Sequence, residues 1–153
     1  LPIPVIKDSL SITYYPGKRS KLMECAIDDK GWKTCTFFDL QGNIIEKDVL
    51  LGCDEPPTYD GKDLDYFREV VQREMVYPPE AVENGIFGRV IIQFIIRNDG
   101  SMGEVIVLRG VAKVLDNECV RAIKATRPLW VPGLNKGKPA NVVMVMPLIF
   151  MLK

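Results

Sequence analysis

The chain contains no histidine, so acid–base chemistry near neutral pH would fall to a carboxylate, a lysine or a thiolate. Its thiols are Cys25, Cys35, Cys53 and Cys119, with no Cys-x-x-Cys pair, so a zinc site would have to be assembled from dispersed ligands. Cys25 and Cys35 could face one another across a hairpin and close a short loop, which would add roughly 3 kcal/mol as a disulfide in an oxidising compartment. They fit as well as buried free thiols, and Cys119 reads as helix core. Asp28-Asp29 falls in a surface turn, while Asp60, Asp63 and Asp65 precede or open a helix, where solvation and capping explain them. Asn98-Asp99-Gly100-Ser101 starts like a calcium loop but lacks the later ligands, and a hairpin turn accounts for it. There is no phosphate-binding glycine loop and no nucleophile elbow. Arg89 and Arg97 could meet acidic groups of a partner or remain solvated. These residues point away from an enzyme and call for no metal or cofactor.

What remains is main-chain chemistry. Val142 to Leu152 is long, apolar and extended, and Pro147 interrupts it. A proline inside a central strand would forfeit a ladder hydrogen bond, so an outer position is favoured. An edge strand offers unpaired N–H and C=O groups, which can capture an extended peptide, pair with a second copy, or stay inert. All three readings are open on these grounds.

The elements that must position this strand follow from periodicity. A chain of 153 residues, 47% hydrophobic, can build one domain or two small ones. Twenty basic and twenty acidic residues cancel, and no dense Lys/Arg cluster invites a nucleic acid. No apolar run approaches the ~20 residues needed to span a bilayer. Leu1 rather than Met opens the chain, as expected if a signal or membrane anchor has been removed. After Pro2 and Pro4, Tyr14-Tyr15-Pro16-Gly17 and Phe37-Phe38 through Gly42-Asn43 each join an aromatic pair to a glycine turn. With the turn at Asp28 to Trp32 between them, residues 1–50 are predicted to form an antiparallel meander.

Residues 51–62, carrying Pro56-Pro57, read as a linker, and residues 63–153 as a second module. In that module Leu64, Phe67, Val70 or Val71, and Met75 recur at helical spacing, and Tyr77-Pro78-Pro79 ends the helix. Glu80 to Asn84 forms a short turn closed by Gly85. From Gly88 the period changes to two, with Val90, Ile92, Phe94 and Ile96 on one strand face. Asn98-Asp99-Gly100 turns the chain, and Glu104 to Arg109 returns antiparallel. A second helix carries Leu115, Cys119 and Ala122 on one face and ends at Pro128. Trp130, Pro132 and Gly133 make a turn, and a further turn at Asn135 to Lys138 leads into the last strand.

Taken in order, these residues resemble the C-terminal domain of TonB energy-transducing proteins, in the version found in Bacteroidota. The likeness covers residues 64–153. It is carried by Tyr77-Pro78-x-x-Ala81, Gly85-x-x-Gly88-x-Val90-x-x-x-Phe94, Asp99-Gly100, Val105, Val107 and Leu115-Asp116. It continues through Val120, Trp130-x-Pro132-Gly133, Gly137-Lys138-Pro139 and Pro147-x-x-Phe150. The resemblance implies an α+β fold with two helices on a three-stranded antiparallel sheet, located in the periplasm. Relatives are anchored in the inner membrane, work with a proton-driven motor pair, and grip the N-terminal box of TonB-dependent outer-membrane receptors by strand addition. Carried onto this chain, the gripping strand is Val142, Val143, Met144, Val145, Met146, Leu148, Ile149 and Phe150. Tyr77, Pro78, Gly88, Trp130, Pro132, Gly133 and Pro147 are its structural landmarks. A soluble periplasmic peptide-binding or adaptor protein without energy coupling is the alternative, and a homodimer through the same edge is compatible with both. Trp32, Phe37-Phe38 and Gly42-Asn43 are similar to MORN-type hairpin units, which would make residues 1–50 a spacer or an added binding sheet.

Overall fold

A computed structural model describes residues 11–27, 31 and 33–152. The expectations for Leu1, Pro2, Pro4, Asp28, Asp29, Lys30 and Trp32 lie outside the described residues. The meander is present as four strands: β1 (Ser11–Tyr14), β2 (Lys21–Ile27), β3 (Lys33–Phe38) and β4 (Ile44–Leu50). Each pairs antiparallel with the next. Cys25 lies directly opposite Cys35 and the two form a disulfide. Residues 51–62, read from the sequence as a linker, carry β5 (Thr58–Tyr59), whose Tyr59 is buried against Phe67 and Trp130.

The first helix, α1 (Leu64–Glu74), begins where Asp63 accepts a hydrogen bond from the Tyr66 N–H at 3.0 Å, satisfying a donor the helix cannot satisfy itself. Its face buries Phe67 and Val71. Pro79 opens α2 (Pro79–Glu83), where a missing N–H costs nothing. Gly85 closes it at φ +65°: its N–H bonds to the Val82 carbonyl and that of Ile86 to the Ala81 carbonyl.

Strand β6 (Gly88–Ile96) follows. The return strand β7 (Ile106–Arg109) starts two residues later than the pattern suggests. The Gly103 N–H reaches back to the Ile95 carbonyl at 2.7 Å, so the chain swings wide before pairing resumes at Ile106. Helix α3 (Lys113–Lys124) buries Leu115, Cys119, Ala122 and Ile123. The Trp130–Gly133 segment is not a simple turn. It forms two short strands, β8 (Trp130–Val131) and β9 (Gly133–Asn135), because Thr58–Tyr59 and Lys138–Ala140 supply ladder partners. Lys136 and Gly137 both take positive φ between β9 and the last strand, as a tight two-residue hairpin requires, so that strand β10 (Lys138–Phe150) begins earlier than Val142.

The three-stranded antiparallel sheet implied by the resemblance is present as β10–β6–β7, but it does not stand alone. Among the described residues it belongs to an eight-stranded sheet in the order β1-β2-β3-β4-β10-β6-β7, with β9 also on β10, and the helices number three rather than two. The join is a short parallel contact, Asn141 beside Val49 and Val142 beside Leu50. It is reinforced by the ion pair of Arg97 with Glu46 and by Asn141, whose side chain accepts from the Asn98 N–H at 2.8 Å. One face of β10–β6–β7 lies under the helices, around Phe67, Phe94, Trp130, Met146 and Leu148. The other face packs Ile95, Ile106, Leu108 and Val143 against Leu22, Phe37 and Val49 of the meander. That second cover explains why β6 is apolar on both sides.

Helix α1 is held from its C-terminal end. Glu118 of α3 accepts from the Val76 N–H at 2.7 Å, and Arg121 donates to the Glu74 carbonyl at 3.1 Å while pairing with Glu118 at 2.7 Å. The Arg121 hydrogen bond holds the Glu118 carboxyl below its ordinary value of 4.5, with burial opposing and the Val76 N–H assisting.

Two outcomes follow from this packing. Phe67 is fully buried and its ring meets those of Tyr59, Phe94 and Trp130. Phe67→Ala should therefore cost about 3–5 kcal/mol in urea unfolding. The Glu118 clamp has a depressed folded-state pKa, so its stabilisation is complete above about pH 4.5 and is lost as pH falls through the folded value. Glu118→Gln should lower stability by about 0.5–1 kcal/mol at pH 7. Its unfolding midpoint should converge with the wild type's as pH falls below the folded value; a gap unchanged with pH would refute the carboxylate's role.

Candidate partner-binding edge

Strand β10 pairs with β6 without a break from Val142–Ile96 to Phe150–Gly88. In such a ladder every second residue turns both main-chain groups toward the partner and the others turn them away. Ile149 turns away, since its N–H and C=O both meet the side chain of Gln72. Period two then assigns the same outward direction to Pro147, Val145 and Val143. Pro147 therefore removes no bond from the β6 ladder; the N–H it lacks would have pointed outward.

On the outer side, β4 runs parallel to β10 only as far as Leu50, beside Val142. Beyond Leu50 the chain turns away through Gly52 toward Pro56-Pro57 and β5. From Met144 to Phe150, no strand lies on the outer side of β10 among the described residues. The free stretch presents the Val145 N–H and C=O, the Pro147 C=O, and the Ile149 pair engaged by Gln72. At ~3.3 Å per residue it can accept roughly four to six residues of another strand.

The eight side chains assigned to this strand from the sequence divide sharply. Val142, Met144, Met146, Leu148 and Phe150 are buried under the helices. Val143 packs toward the meander, whereas Val145 is 47% and Ile149 38% exposed. A strand added here would be chosen by Val145 and Ile149 and by the exposed Phe87, Met151 and Leu152 at the end of the ladder. The buried five are core.

The landmark residues are structural. Tyr77 donates to the Ile86 carbonyl and sets its ring 5.2 Å from that of Phe150, fixing the end of β10. Pro78 is the N-cap of α2. Gly88 pairs with Phe150 at φ +148°, and a Cβ there would lie 2.9 Å from Val111. At Gly133 a Cβ would come within 3.0 Å of Cys53, Pro57 and Glu55, so the close crossing of residues 53–57 demands glycine. Trp130 is 8% exposed at the centre of an aromatic cluster, with its indole N–H unpartnered among the described residues, and Pro132 separates β8 from β9.

The other chemical candidates are occupied locally. Burial pushes the Cys119 thiol up to about 12, with Asp116 and Glu118 adding to the effect, so it remains a neutral core group. Cys53 donates to the Glu55 carbonyl at 3.2 Å. Asp99 accepts from the Ser101 hydroxyl at 2.6 Å and from its N–H at 2.9 Å, as a hairpin turn should, and these bonds lower its pKa. Arg97 is committed to Glu46, while Arg89 is exposed. Sequence reasoning missed Gln72, the Glu118–Arg121 clamp and the β4–β10 contact. A lone glutamine on a helix carries no periodic or motif signal, although Glu118 and Arg121 at i,i+3 spacing were visible as a pair.

Comparison with curated proteins returns no match. Among solved structures, the solution structure of the Helicobacter pylori TonB C-terminal domain, residues 194–285, is 26% identical with a TM-score of 0.48. The match covers 59% of this chain and 94% of that one. A longer form of that domain, residues 179–285, is 27% identical over 62% of this chain and 89% of its own, with a TM-score of 0.45. The family model for the C-terminal region of Gram-negative bacterial TonB proteins matches residues 73–152, more than half of the chain's 153 residues, from the end of α1 through β10. The chain belongs to the TonB C-terminal domain family.

Proposed function

We propose that this protein is the periplasmic receptor-gripping part of an energy transducer. Residues 63–153 form the gripping module, and the N-terminal box of a TonB-dependent outer-membrane receptor adds as a strand along the outer edge of β10. The observation that carries the reading is the edge itself: from Met144 to Phe150, β10 has a strand on one side only among the described residues. Main-chain bonds would supply affinity, and the exposed side chains of Val145 and Ile149 the selectivity. In this reading work from an inner-membrane, proton-driven motor reaches the receptor through that added strand, which requires the anchored form of the protein. The meander, MORN-like in its aromatic and glycine pattern, serves as a brace against the start of β10. No helix among the described residues is long and apolar enough to cross a membrane.

Pro147 shows how to test this without unfolding the sheet. A second proline at Val145 would remove an outward N–H and leave the β6 ladder intact. Adding a synthetic receptor-box peptide should shift the backbone amide signals of residues 143–150. Val145→Pro should weaken the peptide about tenfold or more, whereas Lys138→Ala, in the β9–β10 hairpin, should change it by less than about twofold. Both variants must retain the wild-type amide pattern elsewhere. No shift at residues 143–150, with peptide well above micromolar concentration, would reject strand addition.

A further inference from the structure

The main-chain groups of Ile149 face outward but are not free, because a side chain has taken the place of a neighbouring strand. Gln72 of α1 accepts from the Ile149 N–H at 2.7 Å and donates to the Ile149 C=O at 3.1 Å. A primary carboxamide carries one acceptor and one donor side by side, much as a residue of an adjacent antiparallel strand presents its C=O and N–H. Gln72 thus completes one rung of a ladder whose other outer groups, at Val145 and Pro147, have no strand opposite among the described residues.

We infer that Gln72 is an internal stand-in for the partner strand, which the partner must displace to occupy the whole edge. The inference rests on the strand-addition reading above. An N–H carries one proton, so the Ile149 donor cannot serve Gln72 and an incoming strand together. A partner therefore pairs first at Val145 and Pro147, then takes the Ile149 rung as Gln72 swings away into solvent. Displacement costs little in hydrogen bonds, because the half-buried glutamine exchanges its two protein bonds for water. Until then the filled rung shortens the exposed edge, which limits pairing with a second copy of the chain. The Glu118–Arg121 clamp on the end of α1 sets where Gln72 stands relative to β10.

Gln72→Met keeps side-chain length and helix propensity while deleting both polar atoms. The wild type and this variant would be titrated with the same receptor-box peptide and followed at the Val145 and Ile149 amides. In the free variant the Ile149 amide should exchange with deuterium about tenfold faster, and the peptide should bind about fivefold tighter. Gln72→Leu provides a second arm: it also lacks both polar atoms, so it should tighten binding as well. Equal affinity in all three proteins, with Val145 shifting in each, would overturn the stand-in and leave strand capture standing. Weaker binding in both variants would overturn it too, because Gln72 would then be a contact for the partner. Absence of any Val145 shift would remove strand capture and the stand-in together.

Discussion

The ladder between β6 and β10 is the constraint on which the rest of this molecule is arranged. Its register decides which side chains of β10 enter the core and which main-chain groups look outward. A slip of one residue would turn Met144, Met146 and Leu148 out of the helix-covered core and bring Val145, Pro147 and Ile149 into it. It would also turn the missing donor of Pro147 toward β6, where a ladder bond is needed. Tyr77 against Phe150 and the close fit of Gly88 beneath Val111 fix the far end of that register. Asn141, bonded across to Asn98 and joined to the meander, fixes the near end.

An unpaired edge is a hazard for any sheet, and this one is managed by three separate devices. Pro147 removes a donor where removal costs the fold nothing. Gln72 fills a rung without committing a whole strand. Helix α1 stands close enough to bring Gln72 to that edge while its Phe67 and Val71 stay in the core. What is left open is a short stretch centred on Val145. Such an edge would suit a partner that brings its own extended backbone, with the exposed Val145, Ile149, Phe87, Met151 and Leu152 offering apolar contacts beside it.

Much of this was legible from local pattern. The spacing of Leu64 and Phe67, the Pro79 start, the Gly85 stop and the alternation from Val90 to Ile96 each express a preference that tertiary packing did not overturn. Pro147 pointed to an outer strand, and that holds for only part of β10: the strand lies inside the sheet, with β9 and β4 beside its first part, and from Met144 onward it has β6 alone among the described residues. The features that escaped were contacts between distant segments. The two-residue parallel join of β4 to β10 leaves no periodicity to detect, and the double prolines of residues 51–62 hid the burial of Tyr59. The Trp130–Gly133 segment looked like a turn because its strand partners, Thr58–Tyr59 and Lys138–Ala140, cannot be read from the segment itself. Gln72 escaped for the same reason: its role exists only once α1 and the end of β10 are brought together.

The two halves of β10 are consequently supported in different ways. Its first part is held by β9 at Lys138–Ala140, by β4 at Asn141–Val142, and by β6 from Val142 onward. Its second part has β6 on one side and, among the described residues, no strand on the other. A strand added there and pulled along its own axis would load its ladder bonds together in shear, the direction in which several bonds share the force. The pull would pass through β10 into β6 and, at Asn141 and Val142, into the meander through β4. The Arg97–Glu46 pair sits at that same junction, tying the end of β6 to β4. β4 ends at Leu50, just before the stretch of β10 that has β6 alone beside it among the described residues.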